Sequence, residues 1–374
     1  MNSPLRIAII GSGPAGCFTA EELLQCGRPV AITLFERLPR PGGLVHYGVA
    51  PDHPHTRRLV RLMERTFAAV TLRTWVEVGR DLSVEQLRRE FDAVVVATGA
   101  EEERRLDIPG EQLARVHSAR AFAGWLNGHP DYAQEPFAFR GETAVVIGHG
   151  NVALDVVRML CHAPERLRET DAAPAAVAAL SASAIRTIHL VGRGGPARAA
   201  FGESELAELG ELPGVALRVD PASLDVAEVC DSDRSRAVVK LLRDFAERPD
   251  PREIHRTVSI EFLCRPLSIQ GTNRADSITL ARLTGIPQTI PCGLILTAIG
   301  QRTRRLPGLP YDTQQSLIPS ESHRIERGLY ATGWSARPAQ GLIGHNRRDA
   351  SATVAAILED FGVEPPVGFE PTTC

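Results

Sequence analysis

Short apolar runs closed by glycine turns set the rhythm of this chain. Arg6-Ile-Ala-Ile-Ile10 is β-branched and stops at Gly11, and Gly11-Ser-Gly-Pro-Ala-Gly16 follows. A helical pattern then runs through Ala20, Leu23 and Leu24, and a second apolar run, Val30–Phe35, ends on Glu36. Strand, glycine turn, helix, strand, acid predicts a βαβ unit in a parallel sheet. A further strand-like run, Ala93–Ala97, ends in Thr98-Gly99. The same pattern restarts at Thr143-Ala-Val-Val-Ile147, continues through Gly148-His-Gly-Asn-Val-Ala153, and keeps helical periodicity to Leu160. Its second strand, Ile185–Val191, ends in Gly192-Arg193-Gly194, with an Ala/Pro-rich stretch (172–184) that reads as an insertion before it. Gly293-Leu-Ile-Leu-Thr-Ala-Ile-Gly300 resembles one more strand ending in glycine, and a last helix is expected over Ala350–Glu359. Two such openings predict an α/β protein with two Rossmann-like dinucleotide-binding domains rather than a short-period repeat. The simplest layout inserts the second domain, 105–297, into a discontinuous first domain, 1–104 plus 298–374.

Composition agrees with this picture and narrows it. A chain of 374 residues allows two domains, and 43% hydrophobic with 23% charged residues excludes a disordered or fibrous chain. The net charge of −3 provides no basic field for nucleic acid. The seven cysteines contain no CxxC pair, which argues against a zinc knuckle, cysteine-held iron–sulfur or a disulfide framework and suits a reducing compartment. No metal site is expected. No apolar run reaches the roughly 18 residues of a membrane span, and the first strand begins at Arg6, so the expected location is the cytoplasm.

The two loops carry the chemistry. In Gly11-x-Gly13-x-x-Gly16 the first glycine permits a tight turn, the second lets pyrophosphate approach the backbone, and the third allows close helix–strand packing. Glu36, twenty residues beyond Gly16, stands where a carboxylate holds ribose hydroxyls. In Gly148-x-Gly150-x-x-Ala153 alanine takes the third position, and the following strand ends not on an acid but on Arg193. A cation there suits a 2′-phosphate. One acid and one cation point to FAD in the first loop and NADPH in the second.

Five stretches resemble a known family: Gly11–Gly16; Pro41-Gly-Gly-Leu-Val-His-Tyr-Gly-Val-Ala-Pro-Asp-His53; Ser118-Ala-Arg-Ala-Phe-Ala-Gly-Trp125; Gly148-His-Gly-Asn-Val-Ala-Leu-Asp155; and Gly333-Trp334 through Gly341-Leu-Ile-Gly-His-Asn346. The chain resembles the adrenodoxin reductase-type ferredoxin–NADP reductases, flavoproteins of the glutathione-reductase-like structural class. The resemblance implies an enzyme that passes hydride from NADPH to FAD and then single electrons to an acidic, ferredoxin-like iron–sulfur carrier. It also implies that Ala15, Glu36, Leu44, Val78, Trp334, Gly341, Leu342 and Ile343 contact FAD. His149, Gly150, Asn151, Val152, Arg193, Gly194 and Glu205 would lie at the NADP site, and His53 and Glu208 near the meeting of the two rings.

The chain departs from the family pattern in three places. Gly-Arg-Arg-Gly-Pro in the family is Gly192-Arg193-Gly194-Gly195-Pro196 here, so one guanidinium of the 2′-phosphate clamp is missing and NADH becomes a possible donor unless Arg198 reaches round. Ala207 replaces an arginine of the basic surface that receives ferredoxins. The segment 363–374 does not read as family sequence, and the chain stops several dozen residues before the family normally does, which predicts a missing C-terminal cap. Arg57, Arg58 and Arg61 form either a docking face or a solvated helix face. Disulfide reductases are excluded by the lack of a cysteine pair. A flavin monooxygenase, another NAD(P)H:flavin oxidoreductase and a non-catalytic nucleotide-binding protein are the alternatives.

Overall fold

The computed structural model describes residues 3–225, 232–282, 285–341 and 343–362. It divides into two compact units. The first holds residues 1–49, 53–104 and 300–374, and the second holds Ala50–Asp52 and Arg105–Ile299.

The first unit is built on a six-stranded sheet. Across it lie Arg324–Glu326, Leu329–Ala331, Ala93–Val96, β1 (Leu5–Ile10), β2 (Val30–Phe35) and Thr71–Arg73. All neighbours are parallel except the first pair. α1 (Pro14–Leu24) connects β1 to β2. Ile7 and Ile9 of β1 and Leu34 of β2 are fully buried with Leu23 of α1, whereas Ala8 and Ile10 pack on the opposite face with Val94 and Val96. Burial of both faces explains why these strands read as continuous apolar runs rather than alternating ones. The C-terminal helix, His345–Asp360, packs on α1 and completes that layer.

The second unit repeats the plan with a parallel sheet in the order Val116–Ser118, Leu294–Thr297, β3 (Thr143–Ile147), β4 (Thr187–Val191), Arg256–Glu261, Val215–Val219. α2 (Asn151–Cys161) links β3 to β4, and α3 (Glu203–Gly210) follows the loop after β4. Three antiparallel strands, Cys264–Gln270, Ser277–Arg282 and Gln288–Pro291, form a separate small sheet. The Ala/Pro-rich stretch is not an open insertion: Pro174–Ser181 is a helix whose Ala176 and Leu180 join the main core. In each sheet the strand before the glycine loop has one neighbour that follows it directly in the βαβ unit and another reached only later in the chain. The loops therefore sit at the topological switch points, where open α/β sheets bind ligands.

Candidate functional sites in the two units

The first loop is shaped by backbone crowding. Gly11 has φ +106°, and a Cβ there would lie 2.4 Å from the Ala97 carbonyl oxygen. A Cβ on Gly16 would lie 2.0 Å from the Gly11 carbonyl oxygen. The middle glycine differs: a Cβ on Gly13 would meet only Gly43 Cα, at 3.9 Å, so open space lies where a side chain would project. This is the room a pyrophosphate needs. Pro14 occupies the first turn of α1, no acidic residue stands in that turn, and the helix presents its positive end to the loop. Glu36, only 7% exposed, accepts hydrogen bonds from the Ser12 N–H at 3.1 Å, the Leu38 N–H at 2.8 Å and the Ser12 hydroxyl. The strand-end acid is thus locked to the loop it serves.

Around this loop, Ala15 is buried in the first turn of α1. Leu44 opens the short helix Leu44–Tyr47 behind Gly43, and Val78 is buried against the face that carries Val94 and Val96. Trp334 lies in a 3-10 turn, Gly333–Ser335, where its indole N–H donates to the Gln340 carbonyl at 3.2 Å and its own carbonyl accepts the Thr303 hydroxyl at 2.7 Å. Gly341 has φ +90°, and Ile343 packs on the core that contains α1. Leu342 lies outside the described residues. In the first unit Gly43, just before Leu44, lies against Gly13, Gly333 of the Trp334 turn lies against Ala15, and Glu36 is bonded to Ser12, while Val78 stays in the core.

In the second loop Gly148 has φ +133°, and a Cβ there would sit 2.3 Å from the Ala298 carbonyl oxygen. Gly150 has nothing within 4 Å of a would-be Cβ, which again leaves open space at the middle position. Ala153 is fully buried with its methyl accommodated. The first turn of α2 carries no acidic residue, and Val152 is exposed on it. His149 turns its imidazole inward, between Phe201 and Phe262, with Nε2 3.3 Å from the Leu190 carbonyl. Burial pushes its pKa down to about 4, the Leu190 hydrogen bond offsetting only part of that. A neutral, core-facing ring leaves the main chain of His149, rather than its side chain, for a nucleotide.

Asn151 anchors α3. Its amide donates to Glu205 at 2.8 Å and accepts from the Gly202 N–H at 2.7 Å. Glu205 is therefore tied to the glycine loop, and is not simply a solvated residue of its helix. Arg193 is exposed at the end of β4, and no hydrogen bond or ion pair of its side chain occurs among the described residues. Its loop is held from behind by the strand end at Glu261, since Gly192 N–H donates to the Glu261 carbonyl and Leu263 N–H to the Gly194 carbonyl, both at 3.1 Å.

A buried charge cluster went unnoticed in the sequence. Arg158 of α2 grips Asp52 bidentately, Nε–Oδ2 2.5 Å and Nη2–Oδ1 3.0 Å, with both side chains 4% exposed. Its Nη2 also reaches Asp155 at 2.7 Å, and Nη1 lies 3.6 Å from Glu208. His162 places Nε2 2.8 Å from Asp52. Burial alone would raise the Asp52 carboxyl, yet hydrogen bonds from His162 and Arg158 outweigh it and hold that carboxyl well below the usual range. The two residues expected near the reacting rings thus relate to one guanidinium: Glu208 faces it, and His53 directly follows the aspartate it grips. A charged residue inside the apolar run Leu154–Leu160 was the available signal, but its partner lies 106 positions away.

Comparison with known proteins follows the same lines. The model for the family described as pyridine nucleotide-disulphide oxidoreductase matches residues 5–185. Human mitochondrial NADPH:adrenodoxin oxidoreductase is 38% identical over 95% of this chain and 79% of its own. NADPH-ferredoxin reductase FprA of Mycobacterium tuberculosis is 38% identical over 96% of this chain and 84% of its own. The structure of Mycobacterium tuberculosis FprA in complex with NADPH superposes with a TM-score of 0.92 at 37% identity, covering 96% of this chain and 85% of that one. Thioredoxin reductase of Lactococcus lactis, 15% identical with a TM-score of 0.58, shares the fold. By its likeness to the curated reductases over nearly its whole length, the chain belongs to the adrenodoxin reductase-type family of NADPH–ferredoxin reductases.

Proposed function

We propose that the protein is an FAD-dependent reductase that takes hydride from NADPH and delivers single electrons to an acidic, ferredoxin-type iron–sulfur protein. The observation that carries this reading is the contrast between two glycine loops on two separate sheets, one served by the buried acid Glu36 and the other by the exposed cation Arg193. Bound flavin supplies the redox chemistry, accepting electrons in a pair and releasing them singly. The chain binds, orients and tunes. Gly13, the α1 N-terminus and Glu36 would hold the FAD pyrophosphate and ribose; Leu44, Val78 and the Trp334–Ile343 turn would line the rest of that site. Gly150, Asn151 and the α2 N-terminus would hold the NADPH pyrophosphate, with Arg193 on the 2′-phosphate.

Asp52 and Glu208 would be positioned by Arg158, which fixes the segment leading into His53. Among the described residues no helix is long and apolar enough to cross a membrane. Cys17, Cys26, Cys161, Cys264 and Cys292 are free and buried, and we assign the protein to a reducing compartment, the cytoplasm. An anaerobic titration with NADPH and then NADH tests the reading. Bleaching of the visible flavin band at near-stoichiometric NADPH is expected. A yellow protein that neither coenzyme bleaches would favour a non-catalytic nucleotide-binding flavoprotein instead.

A further inference from the structure

After β4 the chain carries one arginine, Arg193, followed at once by Gly194. A second cation, Arg198, lies beside Gly194. A Cβ built on Gly194 would come 3.3 Å from the Cβ of Arg198 and would meet nothing else within 4 Å. Two β-carbons at that spacing are tighter than ordinary van der Waals contact, so a side chain at 194 and the stem of Arg198 start from nearly the same point. The turn that brings them together is well defined. Pro196–Arg198 is a single 3-10 turn, and the Arg198 N–H donates to the Gly195 carbonyl at 3.1 Å. The Ala200 N–H then bonds the His149 carbonyl at 2.6 Å, which ties the end of this turn to the glycine loop itself. Arg198, like Arg193, is solvent-exposed.

We infer that Arg198 is a specificity-determining residue for the 2′-phosphate of NADP(H), supplying from four positions downstream the guanidinium that Gly194 cannot. The side chain of Arg198 has the length of an arginine at 194 and starts 3.3 Å from where that side chain would start. Gly194 is then the complement of Arg198, leaving unfilled the space its stem would otherwise contest. A phosphate monoester with charge between −1 and −2 is best held by two guanidinium groups, each making charge-assisted hydrogen bonds. The inference rests on the reading of this loop as the NADP site.

The test is calorimetric binding to the flavin-loaded protein, with 2′,5′-ADP and 5′-AMP as probes that differ only in the 2′-phosphate. Arg198→Ala is expected to weaken 2′,5′-ADP about tenfold to a hundredfold and to leave 5′-AMP unchanged, which also reports that the site is still folded. The double variant Gly194→Arg with Arg198→Gly, which removes the contesting β-carbon, is expected to recover most of that loss. Should Arg193→Ala weaken 2′,5′-ADP while Arg198→Ala does not, the inference about Arg198 is overturned and Arg193 acts alone. If neither variant changes the ratio of the two affinities, the loop is not a 2′-phosphate site at all, and the reading beneath the inference fails with it.

Discussion

The two glycine loops meet one steric demand in the same way and then diverge. Gly11 and Gly148 both carry strongly positive φ, and each would drive a Cβ against a carbonyl oxygen of a neighbouring strand end, Ala97 or Ala298. Both middle glycines open onto free space. At the third position the loops part: Gly16 is pressed against the Gly11 carbonyl, whereas Ala153 buries a methyl without conflict. They part again at the end of the second strand, where Glu36 is interior and already held by Ser12 and Leu38 donors while Arg193 is exposed. A site whose recognising group is buried and prebonded suits a resident ligand. One whose recognising group waits in solvent suits a ligand that comes and goes.

The strongest attempt to break this comparison is Gly16→Ala, the change that the second loop already carries. Its Cβ would overlap backbone that has no room to retreat, so a loss of more than about 4 kcal/mol of stability and a colourless protein are expected. Thermal unfolding and the visible spectrum report both, and a yellow, stable variant would show that the loops are interchangeable after all.

Acid should separate the two units next. The folded His149 has its pKa lowered to about 4, against about 6.5 in the unfolded chain. Its neutral form therefore contributes stability in full above pH 6.5, and that contribution is lost as pH falls from 6.5 towards 4, up to about 3 kcal/mol. His149→Gln should flatten this part of the stability–pH curve measured by denaturant unfolding; parallel curves would mean that the imidazole is not buried neutral. Glu36→Gln keeps an acceptor but loses the charge, and flavin affinity, measured by reconstitution of the apoprotein, should fall about tenfold to a hundredfold. The mildest change is Ala153→Gly, expected to cost only about 1–2 kcal/mol through helix propensity and a lost buried methyl. A penalty as large as that of Gly16→Ala would erase the distinction between the third positions.

Much of this architecture was legible in the chain because it is written locally. The first βαβ opening runs from Leu5 to Glu36 and the second from Thr143 to Arg193, and in both the glycines and the helix start sit at the same offsets from the end of the first strand. What escaped notice depends on distant contacts. Nothing local to Pro51-Asp52 announces that Asp52 is buried against Arg158 and grouped with the second unit, nor does the run Leu154–Leu160 reveal which carboxylate its arginine needs. The orientation of His149 was hidden for a similar reason. Its position in the loop suggests a ligand contact, but Phe201 and Phe262, which close over the ring, belong to later segments. The small antiparallel sheet from Cys264 to Pro291 carries no glycine-loop signature and was not anticipated either.

The strand Leu329–Ala331 pairs in register with Ala93–Val96, and the helix His345–Asp360 covers α1. That arrangement sets a timetable for synthesis. The N-terminal strands leave the ribosome early, but their sheet lacks a neighbour and a covering helix until the 195 residues from Arg105 to Ile299 have been made. At 5–20 residues per second this is a delay of about 10–40 s. Throughout that time the Val94–Val96 edge is open to the wrong partner, while the inserted unit emerges whole. The second unit should therefore be the first to become protease-resistant on the nascent chain, and the first unit should depend on chaperones until the helix His345–Asp360 has been made.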